Sequence, residues 1–175
     1  SSILIEEGET DKALEYLALG RESFEEDQGL INTQINLYIQ LGRTTELIGK
    51  LGEAIALDEE NELLYFNRGT IYDQEGDIEN AEKDYLTALE LNPSAFGANY
   101  NLGALYFNQG VATKNKANAT SDNSLYSKLN KEADAVFAKA LPYLEAAHII
   151  NAEDKNTLLS LKQLYYLNND YVKSE

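Results

Sequence analysis

Between Asn61 and Ser94 the apolar positions fall into two helical stripes separated by a short polar break. Tyr65, Arg68, Gly69 and Tyr72 recur at i, i+3, i+4 and i+7, and Ala81, Tyr85, Ala88 and Leu89 at i, i+4, i+7 and i+8, the spacings that line one face of an α-helix. Gly76 stands where the first helix must stop, because a terminal residue with positive φ suits glycine or, less well, asparagine. Asp77 can accept hydrogen bonds from the exposed N–H groups that open the next helix, and Asn92-Pro93 ends it, since proline has no N–H to continue the ladder. The stretch predicts helix, turn, helix, turn.

The same design recurs along the chain. Gly8, Gly42, Gly76 and Gly110 are each 34 residues apart, Tyr38, Tyr72 and Tyr106 precede three of them by four residues, and Ala54 and Ala88 keep the period. A unit of this length cannot bury its apolar face alone, so neighbours must stack. Residues Tyr65, Gly69, Tyr72, Gly76-Asp77, Ala81, Tyr85, Ala88 and Pro93 resemble the tetratricopeptide repeat (TPR) family. Ile35 departs from that motif where small residues are usual, and Arg68 where leucine is common. The resemblance implies an all-α, right-handed superhelical solenoid of antiparallel helix pairs. It divides the chain into a partial first unit at 1–27, further units at 28–60, 61–94 and 95–154, and half of a fifth at 155–175.

The register breaks after Gly110. Ala54 to Tyr72, Ala88 to Tyr106 and Ala147 to Tyr165 all span 18 residues, which restores the phase at Ala140 and leaves about 25 extra residues in the fourth unit. Leu125, Leu129, Ala133, Val136, Phe137, Ala140, Leu141 and Leu144 carry a helical stripe into the resumed repeat, around a polar centre at 118–124. This pattern predicts a helical-hairpin insertion over about 111–139, with a surface loop as the alternative and a bend at Pro142. Asn169 takes the glycine place of the last unit. The chain starts Ser1-Ser2 and holds neither methionine nor cysteine. It reads as a processed piece whose complete form carries more repeats, and its compartment is left open.

Charge narrows the partners. Residues 1–110 hold 22 acids against six Lys or Arg, a net of −16, whereas 111–175 hold eight of each. Such a surface repels phosphate backbones, which are held chiefly by Lys and Arg, so nucleic-acid binding is not expected. No apolar run reaches the roughly 18 residues that insertion into a membrane needs. The acids also serve to keep a stacked array soluble. Catalysis finds no assembled group: the single histidine, His148, follows Ala147 on a packing stripe, and Asp122-Asn123-Ser124 lacks the ligand spacing of a calcium loop. No enzyme activity, cofactor or metal is expected.

The resemblance implies that the first helix of each unit lines a concave surface. With Tyr65, Gly69 and Tyr72 committed to packing, the exposed stripe is Phe66, Asn67, Thr70 and Asp73. Its counterparts are Asn32, Asn36 and Ile39 before it, Tyr100, Asn101, Phe107 and Asn108 after it, and Gln163 and Tyr166 in the last half unit. This amide-rich, aromatic groove suits a peptide or protein segment, since carboxamides pair with backbone and rings supply apolar contact. No cation occupies the places where some TPR arrays clamp a C-terminal carboxylate. The expected function is a non-catalytic protein-interaction scaffold. Alternatives are a structural array that self-associates through its end helices and a regulatory region of a larger protein.

Overall fold

The computed structural model describes residues 10–23 and 28–167, which form eight α-helices and no strand among the described residues. They are α1 (Thr10–Ser23), α2 (Gln28–Gln40), α3 (Thr44–Leu57), α4 (Glu62–Gln74), α5 (Ile78–Leu91), α6 (Phe96–Asn118), α7 (Asn123–Ile150) and α8 (Lys155–Leu167). Each helix packs on its sequence neighbour, and smaller contacts that skip a helix join α4 to α6 and α6 to α8. This nearest-neighbour stacking makes the chain a TPR-like solenoid. The expected Gly8 and Asn169 turns lie outside the described residues.

Two turns are built identically. Gly42 and Gly76 have φ of 64° and 78°. At the first, the Gly42 N–H donates to the Ile39 carbonyl and the Arg43 N–H to that of Tyr38; at the second, Gly76 donates to Asp73 and Asp77 to Tyr72. These paired bonds satisfy the last carbonyls of α2 and α4 and reverse the chain. Asp77 then caps α5, its Oδ1 accepting from the Asn80 N–H at 3.3 Å.

Gly110, in the same 34-residue register, does something else. It lies inside α6, where a Cβ would stand 2.5 Å from the Phe137 ring. Its glycine permits α6 and α7 to approach, not a turn. Those helices are 23 and 28 residues long and are joined by residues 119–122, with Asp122 accepting from the N–H groups of Ser124 and Leu125. The segment 111–139 is thus almost wholly helical. α7 continues through Pro142.

The interior divides into two apolar clusters. The first joins Ala13, Leu14, Leu17, Ile35, Leu37, Tyr38, Leu47 and Leu51 with Ile71 of α4; the second runs from Ala81 and Tyr85 through Leu102, Tyr106, Phe137 and Leu144 to Leu161 and Leu164. Ile35, which departs from the family's small residue, is buried in the first. Arg68 has a physical reason to replace leucine: its guanidinium grips Asp84 with two hydrogen bonds of 2.7 and 2.8 Å, and Asp84 is almost fully buried. Tyr72 packs half-buried against the second cluster, and the enclosed ring of the α4–α5 pair is Tyr85.

Candidate functional site

The residues assigned to the groove meet different fates. On α2, Asn36 is exposed and Ile39 packs beside the first cluster; the Asn32 side chain lies outside the described ones. On α4, Phe66 is half-buried with its ring over the Gly97 backbone and 6.1 Å from the Tyr85 ring. Asn67 does not present its amide to solvent. It is 2% exposed, and both of its amide atoms are enclosed with no hydrogen-bond partner. Position 67 lies three residues after Leu64 and four before Ile71, both associated with the first cluster, so it shares their helical face.

Three other residues converge on one atom. The Tyr85 hydroxyl stands 3.5 Å from Thr70 Oγ1, accepts from Asn101 Nδ2 at 3.3 Å, and lies beside the Asp73 carboxylate, so its one proton serves either Thr70 or Asp73. Burial raises the tyrosine's pKa well above its ordinary value, so it stays protonated. Burial also raises Asp73, while the Tyr85 hydrogen bond opposes the rise. A polar station is thereby assembled from α4, α5 and α6. Sequence reading placed Thr70, Asp73 and Asn101 on the groove stripe but took Tyr85 for packing alone; the hydroxyl at the end of an aromatic repeat position was the available signal.

A second station lies between α6 and α8. Phe107, Val111, Leu159, Lys162, Gln163, Tyr166 and Leu167 line an open recess of about 540 Å³. Phe107, Gln163 and Tyr166 come from the expected stripe, and Lys162 adds a cation that the stripe did not include. Leu159 and Tyr166 are 57% and 63% exposed, unusual for large apolar groups. Asn108 is exposed nearby in sequence, and Tyr100 stacks on Phe96 with ring centroids 6.2 Å apart. His148 is half-buried in the last turn of α7, its Nδ1 enclosed without a partner. Among the described residues no three His, Asp or Glu side chains gather as metal ligands would, and no helix is long and apolar enough to cross a membrane.

Comparison with known proteins places this geometry. Residues 69–110 match the TPR repeat family. The photosystem I assembly protein Ycf3 of Acaryochloris marina (strain MBIC 11017) is 33% identical over 79 residues, covering 43% of this chain and 48% of the relative; the chain thus spans less than half of that protein. Among solved structures, MamA is similar with a TM-score of 0.62 and 16% identity, over 99% of this chain and 81% of MamA. The first TPR of Spaghetti (RPAP3), bound to the HSP90 peptide SRMEEVD, is similar with a TM-score of 0.57 and 18% identity, over 80% of this chain and 91% of that one. Residues 69–110 are a TPR repeat by sequence, and the chain has the fold of the TPR repeat proteins.

Proposed function

We propose that the chain is a non-catalytic scaffold that holds a peptide or protein segment in the groove lined by α2, α4, α6 and α8. On this reading the pairs α2–α3, α4–α5 and α6–α7 are the units at 28–60, 61–94 and 95–154, with about 111–139 inserted into the last. The observation that carries the proposal is the recess between α6 and α8: residues from two successive groove helices, 48 to 60 positions apart in sequence, build one apolar concavity flanked by amide and ammonium groups. Apolar concavities with a few polar groups are where chains of this kind gain affinity, because burial supplies the energy and the polar groups fix register. The assembly role in the name of Ycf3 and the peptide bound by the Spaghetti TPR agree with such a use.

The test is selection of short random peptides displayed on phage, followed by binding to Leu159→Asp and Gln163→Ala, whose side chains are exposed and leave the fold intact. Peptides that bind the parent and lose affinity for Leu159→Asp support the groove. Peptides indifferent to both substitutions contradict it.

A further inference from the structure

Asp73 is a carboxylate that meets the Tyr85 hydroxyl but no cation. It is half-buried at the C-terminal end of α4, and no Lys or Arg pairs with it among the described residues. Arg68, on the same helix, has the Nε and Nη2 edge of its guanidinium committed to Asp84. A partly desolvated, unpaired carboxylate costs stability, and the raised pKa of Asp73 is the same cost expressed as proton affinity. Its neighbours hold it in place: Tyr85 OH, itself fixed between Thr70 and Asn101, lies against it. The Phe66 and Tyr85 rings stand beside this station, tilted at 39°.

Resting on the groove reading above, we infer that the Asp73 station receives the cationic side chain, lysine or arginine, of the segment bound in the groove. Such a group supplies the charge that Asp73 lacks, and the Thr70 and Asn101 side chains offer it further acceptor oxygens. The exposed part of the adjacent Phe66 ring suits the aliphatic stem and the charge of either residue. Long-range charge acts in the same direction, since residues 1–110 carry a net of −16 and draw a basic segment toward α4. The groove therefore selects for sign as well as for apolar content.

The peptides selected on the parent chain test this directly. Lys and Arg should be in excess among those that require Leu159, and one of them, made synthetically, should bind about 10-fold more weakly to Asp73→Asn, the scale of a single partly exposed charge-assisted contact. Replacing its basic residue by norleucine should give the same loss, and the two losses should not add. The norleucine peptide reads the contact on unaltered protein, so a folding defect in Asp73→Asn cannot mask the result. Peptides lost on Leu159→Asp but unaffected by Asp73→Asn and by norleucine would overturn the inference and leave the groove standing. Peptides indifferent to all three changes would overturn both.

Discussion

The two apolar clusters follow one 34-residue rule and are held by different chemistry. Around the first, charges sit at the surface: Arg43 pairs with Asp11 at 2.6 Å and with Glu46 at 2.8 Å, and Glu46 with Lys50 at 3.3 Å. These groups rim a recess of about 420 Å³ lined also by Tyr38, Leu51 and Leu64. Around the second, the polar contacts are drawn inward. Arg68 and Asp84 pair beneath the surface, Tyr106 donates to Glu82 at 2.6 Å, and Tyr165 donates to Glu145 at 2.8 Å. Exposed pairs contribute little because solvent screens them; enclosed, directional bonds fix one arrangement of neighbouring helices.

One pair of positions isolates the contrast. Asn67 and Asn101 are a period apart, and so are Leu51 and Tyr85. Asn101 donates to the Tyr85 hydroxyl, whereas Asn67 is enclosed without a partner and its counterpart residue, Leu51, has no polar atom to offer. A repeat conserves backbone geometry and lets each interface choose its own side-chain chemistry.

Breaking the second cluster should have the largest effect. Phe137→Ala removes a fully buried ring that fills the space above Gly110 and lies 5.8 Å from Phe107, and urea melts should show a loss of about 3–5 kcal/mol. Asp84→Ala leaves the Arg68 guanidinium partly buried without its partner and should cost about 3 kcal/mol, with Leu47→Ala in the first cluster as the comparison for an apolar change. Gly76→Ala forces an L residue to a φ of 78° and should cost about 1 kcal/mol in the same melts.

The amide pair sharpens the contrast. Asn67→Leu removes an unsatisfied buried group and should leave thermal stability equal or higher, whereas Asn101→Leu deprives Tyr85 of a donor and should lower it by about 1 kcal/mol. An opposite order would show that the two amides are not in contrasting environments. The smallest effect concerns pH. Asp154 is held below the usual carboxylate range by the Thr157 N–H and then by its hydroxyl. Its contribution is present above the unfolded-state pKa and fades as pH falls through the folded one. Asp154→Asn should therefore melt earlier than the parent at neutral pH and together with it in strong acid.

The fold was legible because the helix stops are backbone requirements. Gly42 and Gly76 announce positive φ, and Asp77 and Pro93 announce a start and an end, whatever the helices pack against. Gly110 obeyed the period for another reason, since close approach to Phe137 calls for the same missing Cβ as a turn does. The groove was less legible. Period alone puts Asn67 and Asn101 in equivalent places, but burial of one depends on which side of α4 the preceding pair covers. Lys162 escaped notice because a stripe drawn from earlier helices does not include its position, and a recess belongs to two helices at once.

Photo-crosslinking tests the central claim, that the inner face of the array engages a protein segment. Benzoylphenylalanine placed at Gln163 in the α6–α8 recess, and separately at exposed Glu79 on α5, is irradiated in extract of the source organism. The account predicts a discrete protein adduct from position 163 that disappears when Leu159→Asp is added, and none from position 79. An adduct from position 79 alone, or one at 163 indifferent to Leu159→Asp, would contradict it.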